Sequence, residues 1–413
     1  PYACKLLFQE LTTMNVQMRI ITEDNIDQIT NLSFSDNIQK LTKKDIDNLS
    51  ISKGIGLDKS KMPSNKQSIP NVSELGFTKI QPPPFKKWRI SKLNIITAND
   101  LSPLPSSENR NFVTLEPSQE NLWFKLNDEI NAAKSKLDDI PSNFFPTIAG
   151  SLDMYSKLRN IVQKQYNMEN ATNAALKMYE LINQMNLLNT TNGNCLPIVN
   201  AFCNAELPGA FIIAINHYMR TKCITSEFDW IASSYLPDAA MKIGNTTILE
   251  DRFKIYERNR THWLMGPIPN GLPDGETPIS GDVTDSSVIT TLSNTSHVRF
   301  ANNDKTGATL YTSDVGIEIN QDELNRQEEL TSFVNFGQIL TGLLSLSVGG
   351  NFVTKQFTFI TPFSRSLIAI VASLFDECYI TKPKKSRPAN SEVYLVAKGF
   401  NGISSELSSA LLE

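Results

Sequence analysis

Four charged residues lie among apolar neighbours, and charge in such surroundings needs a partner or a function. Lys177 interrupts the apolar face of a predicted helix, and Lys355 stands in the β-rich run Asn351–Phe359. An unpaired lysine in a buried strand is costly. Asp314 ends an apolar strand, where open α/β sheets bind ligands, and Glu392 opens a terminal strand. These residues are the first candidates for binding or proton-transfer chemistry.

Each of the four also has a purely structural explanation. The stem of Lys177 could pack while its ammonium group reaches water. Lys355 could protect a sheet edge from aggregation. Asp314 could be a cap or turn residue, and Glu392 a solvated strand end. The spacing of the four residues does not by itself bring them together in space.

A second candidate site is the segment Cys203–Tyr218, which follows a short apolar strand. Glu206–Ala210 is predicted to form a tight turn that leads into an apolar helix. Gly209 would let the backbone approach a ligand, and the helix N-terminus would offer free N–H groups. The dinucleotide fingerprint has three glycines where this segment has one, so NAD is not indicated. An ordinary strand-to-helix corner explains the segment equally well.

Composition limits the class of protein. The chain has 413 residues, 40% of them hydrophobic, and a net charge of −4, so a nucleic-acid partner would need a local basic patch. The five cysteines lack metal-site spacing, which favours a reducing compartment and argues against a disulfide framework or zinc site. Three histidines argue against histidine-based metal or triad chemistry. No signal peptide or membrane span is evident.

The order of predicted elements indicates an α/β fold with a mostly parallel central sheet, flanked by helices and preceded by N-terminal helices and a poorly ordered arm. Residues 26–120 are predicted to be this linker or arm, pinned to the next domain by Phe85, Trp88 and Ile90. Residues 237–280 are predicted to be a long surface excursion. Helices are predicted at 122–137, 152–166, 170–189, 211–218, 333–345 and 364–375, and strands at 196–203, 228–234, 309–314, 351–359, 378–381 and 392–397.

Seven short motifs, in order along residues 145–400, resemble the FtsJ-like RNA 2′-O-methyltransferases. The resemblance is closest to the Adrift-type domain of the animal enzyme that methylates the second transcribed nucleotide of capped RNA, and to the FtsJ-like methyltransferase of asfarviruses. The motifs are Asn173–Leu181, Glu206–Tyr218, Gly281–Thr284, Thr312–Gly316, Gln327–Leu330, Gly349–Lys355 and Asn390–Val396. The resemblance implies a Rossmann-like methyltransferase domain over residues 121–413.

The family's catalytic Lys-Asp-Lys-Glu tetrad falls on Lys177, Asp314, Lys355 and Glu392. The resemblance implies that Lys355, if desolvated and able to lose its charge, acts as the base toward a ribose 2′-hydroxyl. Lys177 and Glu392 would orient it, and Asp314 would hold the lysines and balance their charge. In-line methyl transfer would depend mainly on positioning and on this proton loss.

The implied cofactor is S-adenosyl-L-methionine, and no metal is required. Asp282 would contact the adenine, while the place of a ribose-binding acid in bacterial members falls near Ser234, which leaves the ribose contacts open. The residues expected around the amino-acid and ribose portions are Glu206, Pro208, Gly209 and Ala210.

The implied substrate is capped messenger RNA, and a basic loop before Glu392 is predicted to bind its phosphates. A solvated loop explains these charges equally well. The methylated cap is a cation suited to aromatic stacking, for which Tyr256 and Trp263 are candidates. The basic loop residues are Lys382, Lys384, Lys385 and Arg387.

Residues 1–25 fit a short amphipathic helix, but residues 1–20 also resemble the C-terminus of the second-largest RNA polymerase subunit. This resemblance implies a fragment of a longer or fused product, and RNA polymerase or other capping and transcription proteins as partners. With the asfarvirus-like motifs it implies a large DNA virus that transcribes in the cytoplasm, and a place in the viral factory or virion.

The predicted function is therefore S-adenosylmethionine-dependent 2′-O-methylation of the messenger RNA cap. Two alternatives stay open. One is a methyltransferase of internal or ribosomal RNA. The other is a non-catalytic RNA-binding or structural partner of a transcription complex, against which the intact tetrad argues.

Overall fold

The computed structural model describes residues 85–97, 117–135, 153, 155–190, 192–235, 251, 253–264, 280–301, 306–317, 326–387 and 390–413. All of them belong to one unit of the chain, Lys79–Glu413. The polymerase-like segment 1–25 and most of the predicted arm lie outside the described residues. Within the described ranges, no helix is both long and apolar enough to cross a membrane.

Seven strands form one sheet. They are β1 (Lys86–Ile90), β2 (Ile198–Asn204), β3 (Glu227–Ser233), β4 (Ala308–Ser313), β5 (Leu346–Gln356), β6 (Phe375–Lys382) and β7 (Val393–Phe400). Their order across the sheet is β1-β6-β7-β5-β4-β2-β3. Strands β2 to β6 run in one direction, whereas β7 is antiparallel to both of its neighbours and β1 is antiparallel to β6. The predicted Rossmann-like, mostly parallel sheet is confirmed.

Helices cover both faces of the sheet. They are α1 (Pro117–Ser135), α2 (Leu158–Tyr166), α3 (Asn173–Met185), α4 (Ala210–Lys222), α5 (Ile255–Arg258), α6 (Ser286–Arg299), α7 (Gln327–Leu330), α8 (Ser332–Ser345), α9 (Pro362–Leu374) and α10 (Ser405–Leu412). Helices α3 and α4 supply one apolar cluster, and α6, α8 and α9 supply the other. The sheet is thus buried on both faces, as its apolar strands require.

Helix α3 shows why the elements begin and end where they do. The hydroxyl of Thr172 accepts a hydrogen bond from Ala175 N at 3.0 Å, which caps the first turn. Asn186 ends the helix in the left-handed conformation. Between these caps an apolar face enters the core, while Lys177 stays at its margin because its stem packs and its head group reaches an acceptor.

Several elements differ from the sequence expectation, which also lacked the short helices α5 and α7 and the C-terminal helix α10. Helix α6 carries mostly serine, threonine and asparagine, so it lacks the apolar periodicity that reveals a helix. Strand β1 lies in the range assigned to the arm, where Phe85 and Ile90 pack against the apolar clusters and Trp88 stays half exposed. Helix α2 is shorter than expected and begins at Leu158.

The cysteine expectation is wrong in one respect. Cys195 and Cys223 form a disulfide, with their Cα atoms 5.5 Å apart. Cys195 precedes β2 and Cys223 follows α4. A helix that packs back along its strand returns the chain to the strand's beginning, which places the two cysteines side by side. Sequence spacing does not reveal this pairing, because their separation reflects the whole strand–helix unit.

Candidate active site

The candidate residues meet at one edge of the sheet. Asn204, the last residue of β2, lies opposite Ser233 of β3 and Ser313 of β4. Ser313 lies in turn opposite Thr354 of β5. The residues that follow these positions therefore project from the carboxyl edge. In the sheet, β3 and β4 lie on opposite sides of β2, so this edge contains the topological switch point where open α/β sheets bind ligands.

Lys355 and Asp314 form the first charged pair of the site. The Nζ atom of Lys355 lies 3.3 Å from Oδ1 of Asp314 and donates to its backbone oxygen at 3.0 Å. The hydroxyl of Tyr394 donates to Oδ1 of Asp314 at 3.3 Å. Gly316 passes so close that an added Cβ would lie 3.2 Å from the Lys355 ammonium. Asp314 therefore holds the Lys355 ammonium on one side, and the backbone at Gly316 confines it on another.

Lys177 and Glu392 form the second pair. Their Nζ and Oε1 atoms are 2.6 Å apart, with only 14% and 10% of the side chains exposed. The hydroxyl of Ser386 donates to the same carboxylate oxygen at 2.5 Å. Burial alone would raise the pKa of Glu392, but the charge of Lys177 and these hydrogen bonds outweigh it and lower that pKa.

The two pairs belong to one cluster. The charge of Lys355 also helps to lower the pKa of Glu392. Tyr394 is buried beside both carboxylates, and its pKa is raised by burial first and then by Asp314 and Glu392. The structure therefore brings together Lys177, Asp314, Lys355 and Glu392, which spacing alone could not. Sequence reasoning missed Tyr394, although it follows Glu392 by two residues and so shares its face of the strand.

The turn after β2 is held by a buried carboxylate, which takes up N–H groups at the start of α4 that the sequence had suggested for a ligand. Glu206 is buried, and its Oε1 accepts from the backbone N–H groups of Phe211 at 2.7 Å and Ile212 at 3.1 Å. Burial is the main cause that raises the pKa of Glu206 to about 8. Gly209 has a φ of +106°, and an added Cβ would lie 2.6 Å from Cδ1 of Ile255. Only glycine fits there without strain.

Three segments predicted to hold a cofactor adjoin one another. Glu206 N donates to Ser233 O at 3.1 Å, and Leu207 N donates to the hydroxyl of Ser234 at 2.8 Å. Gly281 is so close that an added Cβ would lie 2.2 Å from Ser234 O. This contact places Asp282 beside the β2 turn, and we call the β2 turn, Ser234 and Gly281–Asp282 together the rim of the site. The described residues contain no group of three potential metal ligands.

The basic loop is largely engaged with the protein. The ammonium of Lys382 donates to Glu392 O, and burial lowers the pKa of Lys382 to about 8. Lys385 is buried in an ion pair with Asp153 at 2.5 Å. The backbone N of Lys384 donates to a carboxylate of α3, whereas Arg387 is exposed.

A cavity of about 520 Å³ lies beside this loop, among α2, α3 and α4. Its lining is mainly apolar and includes the carboxylate of Glu180, which accepts the bond from Lys384 N at 2.9 Å. Burial raises the pKa of Glu180. Glu180 follows Lys177 by three residues, so the cavity begins one helical turn from the charged cluster. The aromatic residues in its lining are Tyr155, Tyr166, Tyr179 and His217.

The two aromatic residues suggested for cap stacking differ in how deeply they are buried. Trp263 is fully buried, packed edge-on against Trp230 and Tyr256. It is therefore a core residue of the 237–280 segment, and its assignment to stacking is wrong. Tyr256 is partly buried against the same cluster.

Comparison with known proteins assigns the chain to a family. The model of the FtsJ-like methyltransferase family matches residues 171–400. The chain is 42% identical to the African swine fever virus protein named "Probable methyltransferase EP424R" over 275 residues, which are 65% of this chain and 60% of that protein. It is 33% identical to the uncharacterized protein L511 of Acanthamoeba polyphaga mimivirus, over 66% of this chain and 32% of that protein.

A third relative is the cap-specific mRNA (nucleoside-2′-O-)-methyltransferase 2 of Drosophila melanogaster. The identity is 28%, over 67% of this chain and 36% of that protein. The chain thus spans 60% or less of the length of each of these relatives. None of the three supports the polymerase-like interpretation of residues 1–20.

Proposed function

Because this chain belongs to the FtsJ-like methyltransferases, we propose that it transfers a methyl group from S-adenosylmethionine to a ribose 2′-hydroxyl at the capped 5′ end of messenger RNA. The observation that carries the proposal is the cluster of two lysine–carboxylate pairs at the carboxyl edge of the sheet. The cap-specific relative supports the choice of RNA end.

The proposed base is Lys355, which would first release its ammonium proton to solvent and then, as a neutral amine, accept the proton of the 2′-hydroxyl. Asp314 has two oxygens near the Lys355 Nζ atom, one carboxylate and one backbone, and both would stabilise the ammonium as it forms. Glu392 holds Lys177 at 2.6 Å, so Lys177 would present a fixed positive charge to the developing alkoxide. When bound, S-adenosylmethionine supplies the electrophilic methyl group.

The rim around the β2 turn is the proposed cofactor site, and its geometry fits the group. The β2 turn and Asp282 lie side by side at the carboxyl edge of the sheet, because the segment that carries Asp282 packs against Ser234, whose hydroxyl accepts from Leu207 N. Glu206 would fix the turn rather than carry charge at neutral pH, since its pKa is raised to about 8. The proposed cofactor residues are Glu206, Pro208, Gly209, Ala210 and Asp282.

The cavity beside α3 is the proposed site for the methylated guanine of the cap. Its aromatic rings suit a planar cationic base, and Glu180 offers a carboxylate to the ring's N–H donors. The position of Glu180, one turn from Lys177, would keep the cap near the first transcribed ribose.

The cap site can be tested with 7-methyl-GTP and GTP as ligands. Wild-type protein is expected to bind 7-methyl-GTP more tightly than GTP. Glu180→Gln keeps an acceptor for Lys384 N but loses the charge, so its affinity for 7-methyl-GTP is expected to fall about tenfold. Glu169→Gln, at an exposed glutamate, is the matched control. Equal binding of both nucleotides, or an unchanged affinity in Glu180→Gln, would remove the cap from this cavity.

The reaction itself can be tested by transfer of labelled methyl groups to short RNAs. Transfer is expected to capped RNA and not to capped RNA whose target ribose already carries a 2′-O-methyl group. Equal transfer to uncapped RNA would favour an internal or ribosomal substrate. Cofactor binding without transfer to any RNA would favour a non-catalytic partner of a transcription complex.

A further inference from the structure

The loop between β6 and β7 carries four positive charges, yet most of its polar contacts are to the protein itself. The ammonium of Lys382 has three N–H donors, and it donates to Asn390 O at 2.8 Å, Asn390 Oδ1 at 2.9 Å and Glu392 O at 2.8 Å. All three donors are used, which leaves none for a phosphate oxygen. Lys385 is likewise paired with Asp153.

We propose that Lys382 and Ser386 are positioning residues that hold Glu392, and through it Lys177, in the geometry needed for methyl transfer. In this view the loop is a support for the charged cluster rather than an RNA-binding surface. The inference rests on the proposed function, because it treats Glu392 and Lys177 as part of the reacting site.

The contacts on Glu392 carry the argument. Oε1 of Glu392 receives both Lys177 Nζ at 2.6 Å and Ser386 Oγ at 2.5 Å. Lys382 fixes the backbone of the same residue through its carbonyl oxygen. One partner therefore sets the position of the Glu392 backbone and another sets the rotation of its carboxylate.

Loss of either contact should affect the chemical step more than RNA binding. A carboxylate without the Ser386 hydroxyl can rotate, and Lys177 then loses the fixed acceptor that aims it. Arg387, one residue further along, is exposed at the surface. It is the member of the loop that suits an RNA phosphate, which makes it an internal comparison.

The test is a steady-state comparison on capped RNA. Ser386→Ala and Lys382→Met are expected to lower kcat tenfold or more, with KM for RNA within twofold of wild type. Arg387→Ala is expected to raise KM and to keep kcat. Ser373→Ala, which removes a buried hydroxyl bonded to Ile370 O in α9, controls for a simple loss of packing. An unchanged kcat with a raised KM in Ser386→Ala would make the loop an RNA surface and overturn the proposal.

A second measurement does not need activity. Ser386 and Lys177 meet only through Glu392 in the proposed arrangement, so Ser386→Ala and Lys177→Met should be coupled in a double-mutant cycle of unfolding. Each variant changes the unfolding equilibrium constant by some factor relative to wild type. The factor for the double variant is expected to differ at least threefold from the product of the factors for the two single variants. Additive effects would overturn the positioning role. A wild-type protein that methylates no RNA would refute the proposed function while the cycle still reported the coupling.

Discussion

Two lysines and two carboxylates lie together at the edge of the sheet, and each lysine is within 3.3 Å of a carboxylate oxygen. Their charges balance when all four groups are ionised. Such a cluster tolerates partial burial only while every member keeps its partner, because removal of one leaves another charge uncompensated. Variants of these residues must therefore be checked for folding before a loss of activity is read as chemistry.

Glu206 gives the protein a pH-dependent stability of known sign. Its pKa is raised from 4.5 to about 8, so between these values the folded state holds a proton that the unfolded state has lost. The free energy of unfolding must then fall as pH rises through this window, by about 3–5 kcal/mol if Glu206 acts alone.

Glu206→Gln tests this residue. Glutamine offers the same acceptor to Phe211 N and Ile212 N and does not ionise, so the variant is expected to lose the downward slope. Denaturant unfolding at pH 5.5 and at pH 8.5 measures the effect. The free energy of unfolding of the variant, relative to that of wild type, should rise between pH 5.5 and pH 8.5. A gap that stays constant would mean that Glu206 is ionised throughout.

At the scale of elements, the close approach of α8 to the segment that carries Asp282 is the contact most sensitive to change. A Cβ on Gly337 would lie 1.8 Å from Val283 O. Gly337→Ala is expected to lower the free energy of unfolding by about 1–3 kcal/mol, because the overpacking outweighs the better helix propensity of alanine. The same shift should weaken cofactor binding, since Val283 adjoins Asp282.

The measurement is denaturant unfolding together with calorimetric titration of S-adenosylmethionine. Asn294→Ala, on the exposed side of α6, serves as the control and should leave both quantities unchanged. A Gly337→Ala variant as stable as wild type would show that α8 does not depend on this contact.

Much of the element order could be predicted from the sequence, because the apolar pattern of most strands and helices lies within the element itself. Strand β7 begins with five apolar residues in a row, and β2 and β4 are mainly apolar with small polar residues between, a pattern that indicates burial on both faces. Helix α6 was not predicted because its buried positions include Ser293 and Ser296, whose hydroxyls donate to the last two carbonyl groups of α8. Its stability depends on tertiary contacts rather than on its own apolar pattern.

The site was only partly predictable. Strand ends drew attention to Asp314 and Glu392, but tertiary structure sets them beside the lysines. Strand register brings Lys355 near Asp314, and the packing of α3 brings Lys177 to Glu392. In the basic loop, by contrast, a local pattern suggested a role that the tertiary contacts do not favour. Its charges suggest an RNA surface, whereas Lys385 is buried against Asp153, more than 200 residues earlier in the chain. No local pattern reports such a partner.

The whole molecule is weakly acidic, with a net charge of −4, and so does not attract RNA through its overall field. Recognition of RNA would have to come from a few contacts near the carboxyl edge, among them Arg387 and the cavity beside α3. This arrangement suits a substrate that is held at its end, because a cap offers a base, a charge and a chain terminus within one small volume.

The central claim is ribose 2′-O-methylation that depends on Lys355. The most direct measurement is mass spectrometry of the nucleosides released from capped RNA after incubation with S-adenosylmethionine and either wild-type protein or Lys355→Met. We predict a 2′-O-methylated nucleoside next to the cap with wild type, and a loss of at least 100-fold in the variant, consistent with removal of a general base. A methyl group on a base, or full activity of a folded Lys355→Met protein, would contradict it.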